Sequence, residues 1–140
     1  MMIKILILCT GNSCRSQMAE GFLKSFDKSI AVYSAGTKPE KNINPYTIKV
    51  MNEVGIDISK YKPKNINQFI NQSFDFVITV CDNAKEMCPA FNGKVKKMLH
   101  IGFNDPAAAK GSTAEKLLVY RKIRDEIKQE FLTFYIKIGN

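Results

Sequence analysis

A short polar stretch between an apolar run and a helical pattern constrains this chain more than any other feature. The run from Ile5 to Leu8 leads directly into Cys9-Thr10-Gly11-Asn12-Ser13-Cys14-Arg15-Ser16, after which apolar residues recur at helical spacing. A turn rich in Gly, Asn and Ser between a strand and a helix lets backbone N–H groups converge on one point. The stretch therefore predicts an oxyanion cradle at the end of a buried strand.

Cys9 and Arg15 give the predicted cradle its chemistry. The positive end of the following helix, the free amides of its first turn and the Arg15 guanidinium all favour negative charge there. These groups also lower a thiol pKa below its reference of about 8.5, so we expect Cys9 to be largely thiolate at neutral pH. Ser16 can donate a hydrogen bond to that thiolate or cap the helix. The predicted oxyanion-binding residues are Thr10, Gly11, Asn12, Ser13, Cys14, Arg15 and Ser16.

The alternative interpretation is that Cys9 and Cys14 are small buried residues at a strand end, as free cysteines commonly are. Isolated C-x5-R matches also arise by chance. Here, however, the match sits between a strand pattern and a helix pattern, as an oxyanion site requires. The chain contains no G-x4-G-K-[ST] run, which excludes a Walker-type phosphate loop.

Composition limits the class of protein. A chain of 140 residues with 45% hydrophobic and 24% charged residues predicts one globular domain over residues 1–140. The net charge of +8 suits an anionic small molecule or an acidic protein surface. The lysines are scattered in short clusters without a nucleic-acid motif, so we expect no nucleic-acid partner.

The cysteine content and the lack of a targeting signal favour a reducing compartment. Met1 to Leu8 lacks the features of a signal peptide, and no run approaches transmembrane length. We therefore expect a cytoplasmic monomer without a membrane partner. In the cytoplasm, four cysteines indicate catalysis, redox exchange or metal binding rather than structural disulfides.

Strand and helix patterns alternate along the chain, which predicts an α/β fold. Strands are predicted at Met2–Leu8, Ile30–Ala35, Phe74–Val80 and Val95–Ile101. Helices are predicted from near Ser16, from Asn44-Pro45 to Gly55 and over Thr113–Ile136, with a possible short helix at Ile66–Asn71. A four-stranded parallel sheet with helices on both faces, a three-layer sandwich, follows from this order. Ligands bind at the carboxyl ends of such strands, where Cys9, Cys81 and Asp105 would meet.

Cys81 and Cys88 fit a thiol relay better than a metal site. With the single histidine, His100, they form no zinc-like pattern, so we expect no metal and interpret His100 as a core or strand residue. A nucleophilic thiol that has taken up an oxidising oxyanion needs a second thiol to release the reduced product. A third thiol can then move the disulfide outward.

Asp105 is the candidate general acid. Lying in Asn104-Asp105-Pro106-Ala107, it can protonate an oxygen that leaves the cradle. An aspartate before proline is also common as a turn or capping residue. The convergence of the strand ends favours the catalytic interpretation.

The segment Cys9–Gly21 closely resembles the active-site loop of low-molecular-weight tyrosine phosphatases, and more closely still that of the thioredoxin-coupled arsenate reductases in that superfamily. Other matching segments are Tyr33-Ser34-Ala35-Gly36, Asn44-Pro45, Gly55-Ile56-Asp57-Ile58-Ser59, the Cys81 and Cys88 pair, Asp105-Pro106, and Arg121 through Lys128. The resemblance implies the flavodoxin-like topology of that superfamily. It also implies that Cys9 attacks arsenate with Asp105 as acid and that Cys81 expels arsenite from the adduct. Cys88 then takes over the disulfide, which thioredoxin reduces, with no bound cofactor.

Some relatives bind potassium beside the loop through an Asn, a Glu, a Ser and two further oxygen ligands. Asn12, Glu20 and Ser34 match, but the last two positions fall at about Lys62 and Lys64. An ammonium group cannot ligate a cation, although it can replace one electrostatically. We therefore predict no potassium dependence. The resemblance also implies that Cys14 is not essential.

Two other functions remain open at this stage. A phosphatase needs only Cys9, Arg15 and Asp105, but it would place aromatic residues after the acid, where Ala107, Ala108 and Ala109 stand. A non-catalytic oxyanion-binding or redox-sensing module could carry the same cysteines without turnover.

Overall fold

Four parallel strands form the centre of the computed structural model, which describes residues 2–82, 84 and 91–139. The strands are β1 (Lys4–Cys9), β2 (Ala31–Gly36), β3 (Phe74–Thr79) and β4 (Val95–His100), in the order β2-β1-β3-β4. Within the described ranges three α-helices accompany the sheet: α1 (Arg15–Phe26), α2 (Pro45–Glu53) and α3 (Thr113–Ile138). The predicted α/β sandwich with a four-stranded parallel sheet is confirmed.

Strand β1 is the buried axis of the fold. It pairs with β2 on one side and β3 on the other, and Ile5 through Leu8 are fully buried. A strand with neighbours on both edges and cover on both faces is apolar throughout, which explains the unbroken run in the sequence. Strand β4 lies at the edge and exposes its lysines and Met98, an arrangement that discourages edge-to-edge pairing.

The helices begin where the sequence supplies caps. The Asn44 side chain accepts hydrogen bonds from the first amides of α2, and Pro45 is its first residue. Ser112 and Glu115 form a capping box at the start of α3. The predicted apolar stripe of α3 is buried throughout: Leu117, Tyr120, Ile123, Ile127, Phe131 and Phe134. None of the helices described here has both the length and the apolar character needed to cross a membrane.

Several predicted boundaries shift. Strand β1 starts at Lys4 rather than Met2 and includes Cys9, because Cys9 still pairs with Gly36 in the sheet. The possible helix at residues 66–71 is a single 3₁₀ turn, Ile66–Gln68. The segment after Cys81, predicted as loop or short helix, lies largely outside the described residues, and so does Cys88.

Gly36 allows the end of β2 to lie against the cysteine loop. A Cβ atom at this position would be 2.4 Å from the carbonyl oxygen of Thr10 and 3.1 Å from Cβ of Asn12. Because the first of these atoms belongs to the backbone, the contact cannot be relieved by a change of rotamer. Gly36→Ala is therefore expected to lower the free energy of unfolding by about 1–3 kcal/mol in urea denaturation.

Gly139→Ala is the matched control, because a Cβ atom there lies 3.4 Å from its nearest neighbour, the carbonyl oxygen of Tyr135. That variant should stay within about 0.5 kcal/mol of the parent protein. Equal free energies of unfolding for the two variants would contradict this prediction, because they would show that the loop accommodates the added Cβ atom without loss of stability.

Candidate active site

The loop after β1 turns its carbonyl groups outward. Four of them accept hydrogen bonds from backbone amides of residues 37–44, the segment that follows β2. These bonds run from Thr37 N to Cys9 O (3.2 Å), Lys38 N to Thr10 O (2.9 Å), Glu40 N to Gly11 O (2.8 Å) and Asn44 N to Ser13 O (3.0 Å). The N–H and C=O of one peptide point to opposite sides, so the loop amides face inward. This is the geometry of an anion cradle.

Asn12 holds the loop in place from beneath. It is fully buried and has a φ of 52°, in the left-handed region that asparagine tolerates better than most residues. Its side-chain NH₂ donates to the hydroxyls of Ser16 (2.8 Å) and Ser34 (2.9 Å). Its side-chain oxygen accepts from Gln17 Nε2 (3.0 Å) and the Lys64 amide (2.9 Å). The loop is thereby tied to both α1 and β2.

Helix α1 starts at Arg15 without a side-chain cap, with Cys14 in the N-cap position. Of the two roles expected for Ser16, the cap is wrong, because Ser16 lies inside the helix and its buried hydroxyl accepts from Asn12. Its hydrogen bond to a Cys9 thiolate stays a prediction. Uncapped first-turn amides retain their donors for a ligand. The helix therefore adds its positive end to the cradle.

Sequence reasoning missed Gln17. This residue is fully buried, and its amide donates to the backbone oxygens of Asn12 (3.0 Å) and Lys62 (3.2 Å). Gln17 and the buried Glu20 lie three residues apart, on one face of α1. The sequence signal that could have revealed these buried side chains is a pair of polar residues on either side of apolar positions in the same helix.

Arg15 lies at the mouth of the cradle. Its Nη1 donates to the carbonyl oxygen of Phe103 (2.9 Å), and its Nη2 is 3.8 Å from Oδ2 of Asp105. Its Nε is buried and has no hydrogen-bond partner among the described residues. Since a buried donor is costly when unpaired, this N–H suits an oxyanion in the cradle.

Asp105 lies near Arg15 and lines the cleft at the cradle. A cleft of about 210 Å³ is lined by the loop from Cys9 to Arg15 together with Glu40, Asp105 and Ala107. Asp105 also caps a short 3₁₀ turn by accepting from the amide of Ala107 (3.0 Å). The two roles considered for this carboxylate are therefore compatible, since the cap fixes it at the rim of the cleft.

Cys81 directly follows the β3–β1 contact and comes to lie against Cys9. Its Sγ is 3.4 Å from Oγ1 of Thr10, and its thiol lies close enough to Cys9 for each thiol to shift the pKa of the other. Both cysteines are buried and neither forms a disulfide. Of the predicted catalytic residues, the structure thus brings together Cys9, Arg15, Cys81 and Asp105.

The two adjacent thiols share one negative charge. The hydrogen bond with Cys81, and then burial, raise the pKa of Cys9, although Arg15 opposes them. The same bond lowers the pKa of Cys81 to about 5, helped by Thr10 and Arg15. Cys9 and Cys81 therefore carry one charge between them, and a resting thiolate on Cys9 stays a prediction. Burial raises the pKa of Cys14 to about 12, which keeps that thiol neutral.

The residues that match a potassium site do not fit a potassium ion. The ammonium of Lys64 lies 3.1 Å from the carbonyl oxygen of Lys62 and 3.9 Å from Oε1 of Glu20. Burial lowers the pKa of Lys64. The Ser34 hydroxyl donates to the same Glu20 oxygen (2.7 Å), and both lone pairs of the Asn12 amide oxygen are in use. A cation beside Lys64 would meet like charge and occupied ligands.

Elsewhere in the described ranges, no group of three or more His, Cys, Asp or Glu side chains could hold a metal ion.

Comparisons with known proteins agree with this site. The low molecular weight phosphotyrosine protein phosphatase family matches residues 4–139. An arsenate reductase of Halalkalibacterium halodurans is 47% identical over 131 residues, which cover 93% of each chain. A solved arsenate reductase in the phosphate-binding state superimposes with a TM-score of 0.81 at 33% identity, covering 98% of this chain and 99% of that one. One in the oxidised state gives 0.82 at 32% identity over the same shares.

The matched range includes the cradle, both described active-site thiols and the aspartate at the rim. The chain therefore belongs to the low molecular weight phosphotyrosine protein phosphatase family and, within it, is similar to the arsenate reductases.

Proposed function

We propose that this protein reduces arsenate to arsenite through Cys9, Cys81 and Cys88, and that thioredoxin regenerates it. The observation that carries the proposal is the second thiol: Cys81 lies beside Cys9 and 3.4 Å from Thr10 Oγ1. Hydrolysis of a phosphate ester needs no second sulfur at the nucleophile, whereas reduction does. The names of the similar relatives point to the same substrate.

In the first step, arsenate occupies the cradle, where the loop amides and Arg15 neutralise its charge. The proton of Cys9 passes to the neighbouring Cys81, which leaves Cys9 as the thiolate. Cys9 Sγ then forms a bond to arsenic while one As–O bond breaks. Asp105 protonates the leaving oxygen, which departs as water.

In the second step, Cys81 releases to solvent the proton that it took from Cys9 and, as the thiolate, attacks Sγ of Cys9. An S–S bond forms and the S–As bond breaks, with its electron pair remaining on arsenic. Arsenic(V) thereby gains two electrons and leaves as arsenite, while the two sulfurs are oxidised to a disulfide. The proximity of the two thiols removes most of the entropic cost of this step.

The remaining steps are thiol–disulfide exchange. The Cys88 thiolate attacks Cys81, which frees Cys9 and gives a Cys81–Cys88 disulfide. A thioredoxin dithiol then supplies two electrons and two protons to reduce that disulfide. Cys88 lies outside the described residues, so its role rests on the sequence.

A tyrosine phosphatase is the second candidate, since the cradle, Arg15 and Asp105 suffice for that reaction and the family includes it. The alanine at position 107 on the rim offers an aromatic phosphate ester little to pack against. Residual phosphatase activity is compatible with the proposal, because the first step uses the same groups.

The cysteine relay predicts distinct failures for each variant in an assay with arsenate, thioredoxin and thioredoxin reductase. Cys9→Ser should lose activity by at least about 10³-fold, because the nucleophile is gone. Cys81→Ser should release no arsenite. Cys88→Ser should release one arsenite per protein and stop with a Cys9–Cys81 disulfide, which mass spectrometry detects.

Affinity for inorganic phosphate is the control in all three, because binding at the cradle does not require electron transfer. Continued turnover of Cys88→Ser would contradict the relay. Cleavage of phosphate esters that is indifferent to Cys88→Ser, without arsenate turnover in the parent protein, would favour the phosphatase.

The shared charge predicts an unusual thiol titration. In a Cys88→Ser background, the ultraviolet absorbance of one thiolate should persist down to a pH of about 5 and vanish below it, where Cys81 takes up a proton. Adding Cys81→Ser should abolish this acidic transition. If the acidic transition persists in the variant that lacks Cys81, the negative charge lies on Cys9, as the sequence alone predicts.

Potassium should not change the rate of arsenate reduction. The ammonium groups of Lys24, 2.7 Å from Oε2 of Glu20, and of Lys64, 3.9 Å from Oε1, already supply positive charge there, so no ion is needed to neutralise that carboxylate. Initial rates in KCl and in NaCl at equal ionic strength are therefore expected to agree. A clearly higher rate in KCl would contradict this prediction and mean that Lys64 moves aside to admit the ion.

A further inference from the structure

The single histidine of the chain, at the end of β4, joins the residues on either side of Cys81. Its Nδ1 is 2.7 Å from Oγ1 of Thr79, two residues before the cysteine. Its Nε2 is 3.0 Å from Oδ1 of Asp82, the residue directly after it. The imidazole of His100 therefore spans the point where the chain leaves the sheet and where Cys81 is located.

The hydrogen-bond pattern fixes the orientation of the ring. A carboxylate only accepts, so Nε2 carries a hydrogen and donates it to Asp82. In the neutral imidazole, Nδ1 then accepts from the hydroxyl of Thr79, which is buried. Both ring nitrogens are thus used, and one partner is anchored in the sheet while the other is exposed.

The backbone is also shaped to admit this ring. A Cβ atom at position 102 would lie 2.8 Å from Nε2 of His100, so Gly102 leaves the space that the imidazole occupies. Gly102 lines the same cleft of about 780 Å³ as Thr10, Arg15, Cys81 and Asp82. The contact between His100 and Asp82 therefore lies at the edge of the reaction site rather than elsewhere on the surface.

We propose that His100 is a positioning residue for the second step, holding the backbone around Cys81 so that its sulfur stays within reach of the Cys9 adduct. This inference rests on the proposed arsenate reduction. Cys81 has a short contact to Thr10, but the chain beyond it is held at Asp82 by the histidine. A shift of about 1 Å at a reacting group can cost about 100-fold in rate. Release of this contact should therefore slow the attack of Cys81 without affecting the cradle.

The test uses the Cys88→Ser background, in which the reaction ends at the Cys9–Cys81 disulfide. His100→Ala is expected to slow single-turnover arsenite release about 10-fold or more. It should also lower, by a similar factor, the equilibrium constant for forming that disulfide against glutathione, which measures how often the two sulfurs meet. Affinity for inorganic phosphate should change by less than about 2-fold, because the cradle keeps its own bonds.

Two further variants separate positioning from general destabilisation. Asp82→Ala removes the exposed partner alone, without altering a buried side chain, and should reproduce part of both losses. Met98→Ala, at a half-exposed residue of the same strand, should leave all three measurements unchanged.

Unchanged disulfide equilibria in both His100→Ala and Asp82→Ala would overturn the inference, as would parallel losses of phosphate affinity. The proposed function fails in a different way. In that case the Cys88→Ser parent itself would release no arsenite, whatever residue occupies position 100.

Discussion

The site depends on the buried side chain of one asparagine. Asn12 uses its NH₂ group and both lone pairs of its side-chain oxygen to hold a loop that no regular secondary structure supports. Its left-handed backbone reverses the chain so that the carbonyl groups around it meet amides from the following segments. A buried polar group that lacks a partner is costly, so each of these four bonds stabilises the loop. The inward-facing amides that bind an oxyanion are a consequence of this arrangement.

The sheet brings a second thiol next to the loop that Asn12 holds, which gives a site with two thiols. Leu8 of β1 and Thr79 of β3 are paired in parallel register, and the two cysteines follow them closely along their chains. Parallel strands end at the same edge, so residues about seventy positions apart in sequence become neighbours without any local motif joining them. Strand β4 also ends at this edge of the sheet. Its last residue, His100, pairs with Thr79 and thus lies next to the second thiol.

These relations explain how much could be predicted from the sequence. The apolar run of β1, the caps of α2 and the stripe of α3 are local signals, and they predict the fold that the structure shows and the position of the loop at the end of β1. The buried contacts of Gln17 and the approach of the Lys64 ammonium to Glu20 depend on tertiary neighbours, which spacing along the chain does not reveal. His100 is the strand residue that the sequence predicts, but its contacts with Thr79 and Asp82 also depend on tertiary neighbours.

The distribution of charge between the two thiols likewise depends on tertiary neighbours, and it has a chemical consequence. The sequence places Arg15 and the helix beside Cys9 and so predicts the thiolate there, whereas the fold adds a second sulfur that interacts with the first. Two thiolates so close would repel, so the pair carries one charge that can move between its members. Once Cys9 is bonded to arsenic, this repulsion is gone, while Thr10 and Arg15 still lower the pKa of Cys81. One positive environment can therefore activate the two sulfurs in turn, first Cys9 toward arsenic and then Cys81 toward Cys9.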